Sequence, residues 1–150
     1  MSHITLVDIE IKDLECLRKA AAELGLEFCE GQKTFKWYGQ HMGDYPLPEG
    51  FTQADMGSCD HALKVKGNPE AYEIGVVKRR DGKSGYHLMW DFWQGGYGLQ
   101  QAVGANCSKL CQGYAEKVVL KNTQALRSKG WQMSKQKNKN GEIVVRLVRG

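Results

Sequence analysis

Tyr72-Glu73-Ile74-Gly75-Val76-Val77-Lys78-Arg79 and Gly85-Tyr86-His87-Leu88-Met89-Trp90-Asp91-Phe92-Trp93 decide the fold. Both runs are rich in β-branched and aromatic residues, which suit a pleated, half-buried surface. Between them lies Arg80-Asp81-Gly82-Lys83, and Asp-Gly is a hairpin signal because both residues tolerate turn dihedrals. The stretch therefore predicts an antiparallel hairpin at the heart of a sheet.

Working upstream, residues 61–67 read as a further strand, which Pro69 terminates. Leu26–Cys29 and Lys33–Tyr38 read as two strands joined by a turn at Glu30-Gly31-Gln32, and residues 3–11 as another strand. Asp13 stands where a helix N-cap belongs. Leu14, Leu17, Ala21 and Leu24 then form one helical stripe, and Gly25 is a stop. Between about 39 and 60 the chain has no period and holds Gly39, Gly43, Gly50, Gly57, Pro46 and Pro48. An irregular loop or insertion of that length is usually functional or mobile.

Downstream, Gln94–Gly104 is glycine-rich and predicts a loop or short irregular helix. Residues 107–129 carry Cys107, Cys111, Tyr114, Ala115, Val118, Asn122 and Ala125 at helical spacing, followed by Gly130. Asn140-Gly141 then joins Trp131–Lys139 to Glu142–Arg149 in a predicted hairpin. A two-residue turn there would set Lys135 opposite Arg146, Lys137 opposite Val144 and Lys139 opposite Glu142. The whole predicts an α+β fold: one antiparallel-rich sheet with two main helices packed on one face. Two units share the order helix, glycine stop and two strands, a similarity too short to establish a duplication. The 150 residues form a single predicted domain.

Composition agrees. Folding at this length buries roughly 70% of the unfolded chain's surface, enough for a core without staples. With 25% charged residues and a mean hydropathy of −0.51, the chain is neither disordered in type nor membrane-spanning; no apolar run nears the roughly 20 residues a span needs. Five cysteines, an odd number, and an N-terminus unlike a secretory or transit leader fit a reducing compartment, and the expectation is a cytoplasmic protein. The net charge of +4 conceals a division. Residues 1–100 hold 11 Lys/Arg and 15 Asp/Glu, a net −4, whereas residues 101–150 hold 10 and 2, a net +8. Such polarity attracts a phosphate backbone or an acidic partner, or lets the two parts face each other.

Several segments together carry a family resemblance: Met-Ser-His-Ile at the start, Ala22-Glu23-Leu24-Gly25, Tyr72-Glu73-Ile74-Gly75, Gly85-Tyr86-His87-Leu88, Tyr114-Ala115-Glu116-Lys117-Val118 and Asn140-Gly141-Glu142-Ile143. On these, most of the chain outside about 39–69 resembles a conserved open-reading-frame family of unknown function, first catalogued in algal plastid genomes and found also in cyanobacteria, other bacteria and phages. The resemblance implies a prokaryotic, plastid or viral setting (plastid stroma or infected host cytoplasm included). It carries over no catalytic residue.

Four groups of residues are candidates for chemistry. The first is basic: Lys109, Lys117, Lys121 and Arg127 on the long helix with Lys135, Lys137, Lys139 and Arg146 on the hairpin, a set able to hold phosphates. The plainer reading is a solvated hairpin whose lysines discourage edge pairing. The second is aromatic: Trp37, Tyr38, Trp90, Phe92, Trp93 and Tyr97 offer stacking faces, although core packing explains most such residues. The third is a zinc set, Cys59, His61, Cys107 and Cys111, whose spacing matches no standard ribbon or finger; Cys107 and Cys111 also suit an apolar helix stripe. The fourth is acid–base: His41, His61 and His87 with Asp44, Asp55 or Asp91; Asp91 lies inside an aromatic strand, where burial would raise its pKa, and a solvent-facing Asp91 is an equal reading. No nucleophile elbow, zincin motif or P-loop is present, and no cofactor is implied.

The sequence thus points to a small non-enzymatic binding or accessory protein acting through protein–protein contacts, with another protein or a copy of itself as partner. The apolar residues on both faces of 143–148 favour a covered final strand. The alternative is a nucleic-acid-binding module built on the basic helix and hairpin.

Overall fold

The computed structural model describes residues 4–39, 47–48, 50–127, 130–137 and 143–149, and beyond residue 124 the backbone alone. In chain order the elements are β1 (Ile4–Ile11), α1 (Leu14–Glu23), β2 (Leu26–Cys29), β3 (His61–Val65), β4 (Ile74–Lys78), β5 (Tyr86–Asp91), α2 (Leu99–Val103), α3 (Ser108–Arg127), β6 (Trp131–Lys137) and β7 (Ile143–Arg149). Five strands form one antiparallel sheet in the order β1-β5-β4-β3-β2, and β6 pairs with β7 in a second, two-stranded sheet. Strands alternate in direction, so β1 and β2 run the same way at opposite edges. Hairpins cannot join parallel strands, and α1 carries the chain across the face between them. The α+β class and the helices on one face are as expected. No helix among the described residues is long and apolar enough to cross a membrane.

The helix-bearing face buries Val7, Leu63, Ile74, Val76, Leu88 and Trp90 from the sheet against Leu17, Ala20 and Ala21 of α1, Leu99 and Val103 of α2, and Leu110 and Tyr114 of α3. Small residues let the two longer helices approach closely: a Cβ on Gly113 would stand 3.4 Å from the Cβ of Ala20. Asp13 caps α1 as its position predicted, its Oδ1 accepting from Cys16 N–H at 3.0 Å. The Tyr114 hydroxyl accepts from the N–H groups of Lys12 and Asp13 at 3.0 and 3.1 Å, which satisfies the backbone just ahead of the helix. The stripe of α3 differs from the expected one. Leu110 is fully buried, whereas Ala115 and Asn122 are exposed. The buried line is Cys107, Leu110 and Tyr114 because Leu110 is the larger apolar residue at helical spacing from both.

The opposite face explains the long irregular segment. Ile4, Ala62, Val77 and Met89 project from the sheet into a second core closed by Phe35, Phe51, Met56 and Cys59. The described part of 39–60 is therefore a packed cover. Lys33–Tyr38 is not a strand of the sheet, contrary to expectation. It forms one bridge, Thr34 with Ser58, and crosses this face. Phe35 N–H donates to Gly57 O at 2.9 Å, Cys59 N–H to Lys33 O at 2.8 Å and Glu73 N–H to Lys36 O at 2.9 Å. The partner of β2 is β3 instead, with Leu26 opposite Val65 and Cys29 opposite Ala62. The first α-β-β unit therefore does not form as expected, since the strand that follows β2 is β3, reached only after the cover segment.

Two further expectations shift. The connection between β4 and β5 runs over 79–85, because Arg79 N–H bonds Gly85 O at 3.1 Å and Asp81 holds the Arg79 guanidinium and the Lys83 N–H. In the final hairpin Trp131 is opposite Arg149, Ser134 opposite Arg146, Lys135 opposite Val145 and Lys137 opposite Ile143. That register is one residue off the expected one, so Lys135 does not stand opposite Arg146. The turn itself, with Lys139 and Glu142, lies outside the described residues.

Gly75 is the close approach on which the cover depends. A Cβ there would stand only 2.4 Å from Phe35 Cδ1 and 2.6 Å from Cε1, a clash with the ring. Gly75→Ala should cost about 1–3 kcal/mol by overpacking, and Phe35→Ala about 3–5 kcal/mol by truncation. Urea unfolding of the two single variants and the double variant should show the double costing less than the sum, because removing Phe35 removes the clash.

Candidate functional site

After β5 the chain continues Phe92-Trp93-Gln94-Gly95-Gly96-Tyr97-Gly98. Four consecutive residues are left-handed: Gln94 (φ 53°, ψ 33°), Gly95 (65°, 15°), Gly96 (64°, 25°) and Tyr97 (54°, 42°). Each L residue in that region costs about 1–2 kcal/mol. Gln94 and Tyr97 bear that cost, and the two glycines between them do not. Hydrogen bonds from the surrounding framework hold the turn. Trp93 N–H donates to Asp91 Oδ1 at 3.0 Å and Gly95 N–H to Phe92 O at 3.0 Å. Tyr72 N–H donates to Gly96 O at 2.8 Å, and Asn68 Nδ2 to Tyr97 O at 3.3 Å. Gly98 (φ 114°) precedes α2, and a Cβ on it would stand 2.6 Å from Asn68 Nδ2.

The turn borders a hollow of about 540 Å³. Its lining is four carboxamides (Asn68, Gln94, Gln100 and Gln101), Tyr97, the backbone of Gly95 and Gly98, and Ala105. Tyr97 is 48% exposed, and its ring meets the buried Tyr72 ring edge-on, centroids 5.1 Å apart. Burial, then the neighbouring Asp91, pushes the Tyr72 phenol up to about 12. The Tyr97 phenol is the single ionisable side chain in the lining. The hollow therefore offers paired donors and acceptors and one aromatic face, without an acid–base couple.

The residues singled out from sequence are dispersed. Lys117 Nζ is bonded to Glu23, and Lys121 Nζ to Asp13. The expected phosphate-holding face of α3 is thus partly spent in clamping α3 to α1, and the acidic and basic parts of the chain do face each other there. The Lys121 ammonium, then the Cys16 N–H, holds the Asp13 carboxyl down at about 2. Lys109 is exposed. The side chains of Arg127, Lys135, Lys137 and Arg146, and all of Lys139, lie outside the described set.

The zinc set does not converge. Cys59 belongs to the core of the cover face, Cys107 to that of the helix face. Burial pushes the Cys59 thiol up to about 12 and the Cys107 thiol higher still, away from the thiolate a metal needs. Among the described residues no group of three or more His, Cys, Asp or Glu is placed to hold a metal.

Nor do the acid–base candidates meet. His61 Nδ1 accepts from Gly31 N–H at 2.9 Å, with its ring between Phe28 and Tyr86. His87 points to the cover face beside Phe51, its pKa lowered by burial and by Arg79. Asp55 is in a two-bond contact with Arg80 at 3.0 and 3.1 Å. Asp91 is fully buried and accepts from Tyr38 N–H and Trp93 N–H, both at 3.0 Å. His41 and Asp44 lie outside the described residues. Of the aromatics, Trp90 is core, Trp37 and Phe92 pack against the cores, and Tyr38 and Tyr97 are exposed. Sequence reasoning found Tyr97 but missed Asn68, Gln94, Gln100 and Gln101, for carboxamides carry neither charge nor period. The one available signal was glycine density next to Gln100-Gln101.

Comparison of the chain with protein-family models, characterised proteins and solved structures gave no match.

Gln94→Gly should raise stability by about 0.5–1 kcal/mol, the relief of left-handed strain less the entropy glycine adds to the unfolded chain; chemical denaturation checks it. The Asp13–Lys121 pair gives a pH signature. Asp13 titrates lower in the folded chain than the ordinary 3.8, so its contribution is present above about pH 4 and lost as pH falls through about 2. Lys121→Met should flatten the fall in stability between pH 4 and 2, read by urea unfolding at each pH against wild type.

Proposed function

We propose that this chain is a small non-enzymatic binding protein, of accessory type, that engages a partner protein through the hollow beside the left-handed turn. One observation carries the reading: an uncharged, carboxamide-lined concavity with a half-exposed tyrosine on a backbone held in a strained shape. Protein-binding surfaces are enriched in aromatic residues such as tyrosine and depleted of Lys, Glu and Asp at their cores. Tyrosine supplies large contact area at low entropic cost, and asparagine and glycine supply adaptable hydrogen bonding. The strain at Gln94 and Tyr97 fits a surface shaped for contact rather than for stability.

A second reading, nucleic-acid binding, retains one observation, the exposed Lys109 at the start of α3. It is weakened by the commitment of Lys117 and Lys121 to carboxylates of α1. The resemblance to a family of plastid, cyanobacterial, bacterial and phage chains adds the setting to the proposal: the cytoplasm of a prokaryote, the plastid stroma or an infected host cell.

The test is capture of partners from the native host by the full chain, wild type and Tyr97→Ala, with and without nuclease. The expected outcome is a protein set that survives nuclease and is lost, or reduced at least about tenfold, with Tyr97→Ala, the loss typical of a tyrosine anchor. An unchanged set would overturn the assignment of this surface. Recovery that disappears with nuclease would favour the second reading.

A further inference from the structure

Residues 50–56 lie over the sheet, yet their backbone bonds close within the segment. Phe51 N–H donates to Pro48 O at 3.1 Å, Asp55 N–H to Thr52 O at 3.0 Å and Met56 N–H to Gln53 O at 3.2 Å. The Thr52 N–H and hydroxyl both donate to Asp55 Oδ2, at 2.7 and 3.0 Å, around one 3-10 turn, Gln53–Asp55. The backbone meets the rest of the cover at Gly57, whose carbonyl accepts from Phe35 N–H. Among the described residues, side chains fasten the segment across the sheet. Phe51 and Met56 are buried in the cover-face core, and Asp55 meets Arg80 through two bonds. Phe51 in turn touches two basic groups. The Arg80 guanidinium stands over its ring, 4.6 Å from the centroid, and the His87 ring meets it nearly at right angles, 6.5 Å between centroids. These three side chains line one hollow of about 450 Å³ with Leu6, Gly50 and Asp81. The charged groups facing His87 among the described residues are Glu10 of β1, Arg79 and Asp81 after β4, and the Arg80–Asp55 pair. The Arg79 side chain is 9% exposed and paired with both Glu10 and Asp81. Burial, then Arg79, holds the His87 imidazole below its ordinary 6.5, and Asp81 and Glu10 offset this in part.

We propose that residues 50–56 form an acid-released strap, closed over the sheet while His87 is neutral and lifted when His87 takes a proton. This device is independent of the hollow beside the left-handed turn. An imidazolium under the closed strap gives up hydration and stands beside Arg79, and lifting the strap returns water to it. A closed state that resists a proton is weakened by that proton. With the strap off, His87 titrates at its ordinary value; with it on, lower. The closed form is therefore fully favoured above pH 6.5 and loses ground as pH falls below it, by at most about tenfold in the closed-to-open ratio per pH unit. The other fastening does not respond in this window. The Thr52 N–H, then Arg80, holds the Asp55 carboxyl below the usual carboxylate range, so its bonds to Arg80 persist in mild acid. Lifting uncovers the apolar side chains of Val77 and Met89 on the sheet.

The experiment is NMR of the full chain, with carbon-13 in the methionine methyls and histidine rings, from about pH 7.5 to about pH 5. Relaxation dispersion at the Met56 methyl reads a minor open population, and the His87 ring carbon reads its protonation. The expected result is a His87 midpoint below 6.5 and an open population at Met56 that grows about fivefold or more as His87 titrates. His87→Gln, uncharged at every pH, should leave Met56 steady across the window. Phe51→Ala should return the His87 midpoint toward its ordinary value, and His61→Gln should change neither readout. Circular dichroism checks that each variant folds; the His87→Gln comparison stands even if Phe51→Ala does not. Growth at Met56 that persists in His87→Gln, or vanishes in His61→Gln, would overturn the proposal. So would a His87 midpoint at or above its ordinary value, or a Met56 methyl that ignores the titration of His87.

Discussion

A single buried carboxyl group connects the two halves of this structure. Asp91, at the end of β5, has no exposed surface and accepts backbone N–H bonds from Tyr38 on one side and Trp93 on the other. A buried polar group without partners costs several kcal/mol, so its satisfaction constrains both segments. Through Tyr38 it fixes the end of the segment that crosses the cover face. Through Trp93 it fixes the entry to the left-handed turn. The aromatic strand tolerates an aspartate because that aspartate is where the sheet, its cover and the left-handed turn are tied together.

The sheet that results is covered on both sides by different means. Helices α1 and α3 bury one face, joined by small residues at their crossing and by Lys117–Glu23 and Lys121–Asp13 at their surface. Exposed ion pairs of this kind add little to stability. Their consequence is on charge, since they commit cations of a helix that otherwise reads as a phosphate-binding face. The other side of the sheet is closed by the segment that carries Phe35, Phe51 and Met56, a third layer with one 3-10 turn, Gln53–Asp55, among its described residues. Gly75 permits it, because Phe35 rests on β4 where any side chain would stand.

Much of this was legible in the residues. Alternation and turn chemistry placed β1, β3, β4 and β5, and Asp13 and Gly25 marked the ends of α1. What was not legible follows from long-range contact. Lys33–Tyr38 has the composition of a strand, but its hydrogen bonds run to Gly57, Lys36's partner Glu73 and Asp91, none of which local pattern can reveal. The register of β6 and β7 differs by one from that which a two-residue Asn-Gly turn would set. The candidate site was half visible: Tyr97 and the glycines stood out, whereas Asn68 arrives from the turn between β3 and β4, and the glutamines carry no pattern. Strongly charged and thiol-bearing groups drew attention in the sequence, and packing assigned most of them to structural roles.

The proposed binding surface rests on shape and neutral hydrogen bonding, held by a framework that keeps Gln94 and Tyr97 in left-handed conformations. The most direct measurement is photo-crosslinking in the native host, with benzoylphenylalanine placed at position 97 and, as a reference, at position 83 in the turn at the opposite end of β4 and β5. A working surface at the left-handed turn gives a protein adduct of defined mass from position 97 and none from position 83. Adducts from position 83 alone, or none from position 97, would contradict it.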